Sequence, residues 1–158
     1  MPRTSAGILL YRRGAAGPEV LLGHMGGPFW AKKDDGSWSL PKGEHGPDEE
    51  PLAVARREFA EELGAPCPVT DLEPLGDCRV TSGKVLTVWA GEGDLDATAT
   101  RSNTFELEWP PRSGRVQEFP EIDRAAWLGL DEARGKLVKG QVPFLDRLLV
   151  ALGGDPTS

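Results

Sequence analysis

Cysteine is scarce in this 158-residue chain: Cys67 and Cys78 are the two, eleven positions apart, and neither sits in a CxxC or CxxH context. That spacing argues against a disulfide framework or a thiolate zinc site. The pair could bridge in principle, but in a reducing cytoplasm both are expected to be free, structural thiols. Histidine is equally rare, and His24 and His45 form no metal-spaced pair; His45 is expected to be an exposed loop residue. No apolar run reaches the eighteen or so residues of a membrane span. The amino-terminal MPRTSAGILLYRR also lacks the long apolar core and cleavage pattern of a signal peptide. Cytoplasmic localisation without a membrane partner is the expectation. Positive charge is in deficit, with 18 Lys and Arg against 25 Asp and Glu, a net charge of −7. A nucleic-acid partner held by general attraction is therefore not expected. Internal repeats and low-complexity segments are missing as well.

What is present is enough for one core. With 39% hydrophobic residues over 158 positions, the length supports a single domain, expected over residues 1–152, followed by a frayed tail, 153–158. The chain is organised around Gly43 to Ala65, GEHGPDEEPLAVARREFAEELGA. Within it Glu58, Glu61 and Glu62 fall at i, i+3 and i+4, one face of an α-helix. Unit charges about 5 Å apart at an effective dielectric of about 20 repel by roughly 3 kcal/mol per pair, so a cation is required there. Leu52, Ala55, Phe59 and Leu63 make an apolar stripe on the other side. Pro51 suits the first turn, Asp48, Glu49 and Glu50 suit the positive end of the helix dipole, and Gly64 suits an αL stop. Lys42 to Pro47 reads as a loop leading in. Hard oxygen ligands on a rigid helix suit Mg²⁺, with Mn²⁺ able to substitute, and such ions usually serve a phosphate-bearing substrate.

Gly43, Glu49, Arg57-Glu58-Phe59, Glu61-Glu62 and Gly64, at these spacings, resemble the Nudix box, the signature of the Nudix hydrolases. Only the small Ala65 departs from it. A solvated Glu-rich surface helix is the bland alternative, and the combined spacing argues against it. The resemblance implies that Glu58 and Glu62, joined by Glu61 and the Gly43 carbonyl, hold the metal, while Arg57 pairs with Glu49 or a helix carboxylate and keeps the geometry. It also implies a general base drawn from Glu58, Glu61 or Glu121, with Glu118 as an alternative. Lys42, just before the box glycine, is the first candidate for a phosphate contact.

Elsewhere Ser5 to Arg12 and Glu19 to Gly23 read as a hairpin, and Met25 to Gly36 as a loop before a short strand, Ser37 to Leu40. In that loop Lys32 and Lys33 face phosphate or water, and Trp30 and Trp38 are packing aromatics or base-stacking ones. Strands are expected at Asp71 to Leu75, Cys78 to Val80, Val85 to Ala90, Phe105 to Trp109 and Ala125 to Leu130. Arg112 and Arg115 follow on the loop PPRSGR, either clamping phosphate or uncommitted. Gln117 to Asp123 reads as a loop. Asp131 is expected to cap a short helix to Leu137. A last helix from Gly140 carries Phe144, Leu145, Leu148, Leu149 and Leu152 toward the core.

Strands mixed with two or three helices predict an α/β (α+β) sandwich, a mixed β-sheet flanked by helices. The resemblance implies the same fold with a loop-helix-loop catalytic motif. SAGILLYRR, SLPKGE, KVLTVWAGE, AAWLGLDEA and GQVPFLDRL resemble, less specifically, the diadenosine tetraphosphate hydrolases of that family. The tyrosine those enzymes stack on adenine appears here as Ala125, and SNTFELEWPPRSGR has no clear counterpart. The expected activity is Mg²⁺-dependent hydrolysis of a nucleoside polyphosphate, dinucleoside polyphosphates ahead of nucleoside triphosphates. ADP-ribose, another nucleotide sugar or an oxidised dNTP is the alternative substrate, and a non-catalytic nucleotide-sensing module is the alternative class. Monomer or homodimer stays open.

Overall fold

The structure is a computed structural model and describes residues 3–154. Two long strands, β1 (Arg3–Gly14) and β2 (Gly17–Met25), form the expected antiparallel hairpin at its centre. On the far side of β1 lies β6 (Lys84–Glu92), paired with it in parallel, and β5 (Glu73–Thr81) forms the edge beyond. On the β2 side come the two-residue β3 (Trp38–Ser39) and, also against β2, β9 (Ile122–Gly129). One parallel pair among antiparallel ones makes this the expected mixed sheet.

Helices cover both faces, which is why Ser5 to Leu10 are buried without a break instead of alternating. On one face α1 (Pro51–Leu63) lays Ala55, Phe59 and Leu63 on Ala6, Ile8, Leu10 and Leu21. On the other, α2 (Leu130–Lys136) and α3 (Pro143–Ala151) bring Ala133, Phe144, Leu145 and Leu148 to Leu9, Val20, Leu22, Leu86 and Val88. Each fully buried Leu or Phe contributes roughly 1.5–3 kcal/mol. No helix among the described residues is long and apolar enough to cross a membrane.

Several local expectations are corrected. Lys42 to Pro47 is not all loop: Lys42–His45 form β4, paired with Thr4 to Gly7 of β1, and His45 is half-buried in it. β2 pairs with β1 from Tyr11 to Gly14, which leaves the start of that same edge open for β4, while β6 holds the other edge. Val54 is buried in the helix stripe where Leu52 is only half-buried, because the helix turns one position further than the pattern suggests. Gln117 to Asp123 is two strands. Thr104–Glu108 (β7) pairs with Val116–Pro120 (β8) in a separate hairpin, and Glu121 alone separates β8 from β9. Gly129, not Asp131, precedes α2, and Asp131 sits inside the first turn. Of the expected tail, Gly153 and Gly154 close α3 by donating to Val150 and Leu149 carbonyls; 155–158 lie outside the described residues.

Candidate active site

The box helix starts where Glu50 takes hydrogen bonds from the Leu52 and Ala53 N–H groups at 3.3 and 2.9 Å, and stops at Gly64, in the left-handed region at φ 77°. Between these ends the buried stripe fixes the rotation of α1. Glu58 and Glu62 are thereby turned toward β4. A Cβ on Gly43 would lie 2.1 Å from the Glu58 carboxyl carbon, so glycine at this position gives the Glu58 carboxylate its place against the strand.

A cavity of about 360 Å³ opens at this junction. Glu58, Glu62 and Glu121 line it together with Lys42, Gly43, Glu44 and Lys84, and Met25 and Ile122 supply its apolar wall. Glu62 is 8% exposed. Burial pushes its carboxyl up to about 8, against the opposing pull of Lys42, whose N–H also donates to it at 3.4 Å. Glu58 is raised too, first by burial, then by the charges of Glu61 and Glu121. Glu121 is fixed through its backbone: its N–H donates to the Asn103 carbonyl at 2.9 Å and its own carbonyl accepts from Gly26 at 2.8 Å. The Asn103 N–H in turn donates to the Glu61 carbonyl at 2.9 Å, tying the last turn of α1 to Glu121.

Arg57 stays outside the cavity and serves three carboxylates, Glu49 at 3.3 Å and Glu58 and Glu61 at 3.9 Å each. Glu49 also accepts the Gly46 N–H, and this bond together with Arg57 holds its carboxyl below the usual range. Glu61, expected among the ligands, faces Arg57 and does not line the cavity. Glu118 shares a hairpin face with Thr104, whose hydroxyl donates to it at 2.6 Å, and is no part of the cavity. Arg112 and Arg115 stand in the turn of the β7–β8 hairpin, beyond its Glu108–Val116 pair and away from the carboxylates.

Two residues carried no sequence signal. Lys84 opens β6, and the parallel register that sets it opposite Arg3 brings its ammonium to 3.8 Å from Glu44. His24, fully buried, bonds Asp123 at 2.9 Å and the Lys33 carbonyl at 2.6 Å, pinning the 26–36 loop to β9. Only the strand registers create either position.

The residues present suit a hard divalent cation. A buried carboxyl and a half-buried one, both raised first by burial, a third lining the same cavity, and the Gly43 backbone beside them are an oxygen donor set of that kind. Among the described residues no three acidic, histidine or cysteine side chains are gathered closely enough to enclose an ion unaided. Backbone carbonyls and water would complete such a shell.

The sequence matches the family model described as NUDIX domain over residues 1–148. Similar solved structures include a Caenorhabditis elegans Ap4A hydrolase binary complex, 22% identical, TM-score 0.62, covering 96% of this chain and 98% of that one. The NUDIX domain of Shewanella oneidensis NrtR complexed with ADP ribose is 16% identical, TM-score 0.63, with 96% and 89% covered. The C-terminal domain of mouse MUTYH, in complex with human PCNA, is 18% identical, TM-score 0.62, with 98% and 92% covered. A comparison with curated proteins finds no match. These likenesses show the fold, the family model covers nearly the whole chain, and the box glutamates meet Gly43 at one cavity: the chain belongs to the Nudix family and is a hydrolase.

Proposed function

We propose that this protein is a Mg²⁺-dependent phosphoanhydride hydrolase of nucleoside polyphosphates, with dinucleoside polyphosphates of the diadenosine tetraphosphate type favoured and nucleoside triphosphates next. One observation carries the reading: Glu58, Glu62 and Glu121 line a single cavity together with Lys42 and Lys84. Carboxylates alone would repel a polyphosphate, and lysines alone would bind it without activating water.

In this reading Glu58 and Glu62 would hold the ion with the Gly43 carbonyl. The chemistry it would supply is acidification of an attacking water and neutralisation of charge on the leaving oxygen. Glu121 accepts the proton as water attacks phosphorus and the bridging P–O bond breaks, the electron pair leaving with the departing phosphate oxygen. Lys42 and Lys84 orient the phosphate chain. Arg57 holds Glu49 and α1 in place without touching substrate. The substrate is a small soluble nucleotide, and the protein acts in the cytoplasm as a monomer or homodimer, without nucleic acid or membrane.

ADP-ribose is the second reading, supported by the likeness to the NrtR domain, whose structure was determined with that ligand. A panel of diadenosine tetraphosphate, ADP-ribose, ATP, dGTP and its 8-oxo form, incubated with Mg²⁺ or Mn²⁺ and resolved by ion-exchange chromatography, decides between them. Preferential cleavage of the dinucleotide with release of ATP supports the first reading. AMP and ribose phosphate from ADP-ribose supports the second, and no cleavage of any member turns the weight to a nucleotide-sensing module.

A further inference from the structure

We propose that Phe29 and Trp109, an aromatic pair outside the carboxylate cavity, form the subsite for the far nucleobase of a substrate with a nucleoside at each end of its phosphate chain. The inference rests on the reading of the cavity as a polyphosphate site and adds a place for the second nucleoside.

The pair is connected to the catalytic elements. The root of the β7–β8 hairpin is the segment Ser102-Asn103, which bonds Glu61 on one side and Glu121 on the other. Ser102 reinforces it, its hydroxyl bonding both the carbonyl and the N–H of Ile122 at 3.0 Å. The 26–36 loop leaves from the same point, because Gly26 donates to the Glu121 carbonyl at 2.8 Å. Loop and hairpin then run outward together. A Cβ on Gly27 would lie 2.9 Å from the Phe105 ring. Further out, Phe29 meets Trp109 edge to face, ring centres 5.7 Å apart and planes at 69°.

Trp109 lies five residues beyond Thr104 and Phe29 three beyond Gly26, in a turn closed by the Trp30 N–H on the Gly27 carbonyl, so the paired rings stand on the order of 10–15 Å from the root beside Glu121. That span suits a base carried beyond further phosphates from the one at the carboxylates. Phe29 is 64% exposed while its edge contact fixes its orientation, which is a ready stacking surface. Lys32 and Lys33 follow Phe29 in the chain, and Arg112 and Arg115 follow Trp109; the acidic neighbours are engaged elsewhere, Asp34 and Asp35 on Lys136 and Glu108 on the Gly114 N–H, while Glu106, Glu108 and Glu118 lie on the hairpin's opposite face with Val116. The other four tryptophans have partners: Trp30 carries the Lys33 ammonium 5.2 Å from its ring centre, Trp38 is buried, Trp127 lies under the Arg12 guanidinium at 4.3 Å and donates to Leu95, and Trp89 packs against the core beside α1.

The test is Phe29→Ala in the full chain, with Phe29→Trp beside it, assayed on diadenosine tetraphosphate and on ATP. Loss of one stacked base is expected to raise the dinucleotide KM roughly five- to hundredfold, leaving kcat and the ATP constants within about twofold, and Phe29→Trp is expected to restore it. An unchanged dinucleotide KM, or an equal rise for ATP, overturns the subsite while the hydrolase reading stands. If the unmodified protein cleaves neither nucleotide, equilibrium dialysis replaces turnover. Tighter binding of diadenosine tetraphosphate than ATP, lost in Phe29→Ala, then supports the subsite, and equal or absent binding overturns it.

Discussion

At the residue scale the cavity separates roles that the box lumps together. Glu62 is buried and Glu58 half-buried beside β4, Glu61 is turned to Arg57, and Glu121 arrives from another element. Glu58→Gln is expected to lower kcat at least about a hundredfold with the circular dichroism spectrum unchanged, since it removes charge and little volume; normal turnover in the folded variant would remove Glu58 from the ligand set. Glu121→Gln is expected to lower kcat about 10²–10⁴-fold with little change in KM, the pattern of a lost general base.

Glu62 makes a sharper claim about stability. Its carboxyl is raised to about 8 when folded from an ordinary 4.5, so the protonated folded state is favoured at low pH and that stability falls as pH rises from about 4.5 through 8. In protein stripped of metal with chelator, Glu62→Gln is therefore expected to raise Tm at pH 8 by several degrees and to leave it nearly unchanged at pH 4. Differential scanning fluorimetry across that range checks it. A Tm that falls at pH 8 would mean the Glu62 carboxylate is already compensated.

At the scale of elements, the box helix depends on its first turn. Glu50→Ala removes the side-chain acceptor of two N–H groups and is expected to cost about 1 kcal/mol, read as a Tm drop of about 2–4 °C for a chain of this length. Glu49→Ala, by contrast, frees Arg57 and is expected to affect kcat more than Tm. The helix itself was legible from its apolar spacing, Pro51 and Gly64. Less legible was β4: four residues, one a glycine and two charged, carry no strand pattern, and they are extended because β1 offers them unpaired backbone. The β7–β8 hairpin was half visible, since FELEW alternates while RVQEFP does not, and its pairing is set by position and not by propensity.

For the molecule as a whole, the 26–36 loop is joined to α2 by links between residues about a hundred positions apart. Asp34 is one: it pairs with Lys136 of α2 and accepts the Trp38 indole N–H at 2.9 Å, and these bonds, the lysine first, hold its carboxyl below the ordinary 3.8. A lowered folded-state value means that the contribution is complete above 3.8 and disappears as pH falls below it. Asp34→Asn is expected to have a lower Tm than the unmodified protein at pH 6, the two curves converging as pH falls below the ordinary 3.8; parallel curves would show the link contributes nothing.

Local pattern in the sequence determined the box helix, its carboxylate face, the β1–β2 hairpin and the two-sided core, because helix spacing and continuous apolar runs are properties of neighbouring residues. Tertiary structure alone decided which charges meet. Glu121 reaches Glu58 and Glu62 through the Asn103 and Gly26 backbone, and Lys84 enters the cavity through a parallel pairing with a strand eighty residues earlier. Glu118, three residues from Glu121 and chemically identical, is carried to the outer face of a hairpin. Electrostatic roles follow distance and burial, and those are fixed only when distant strands settle their register.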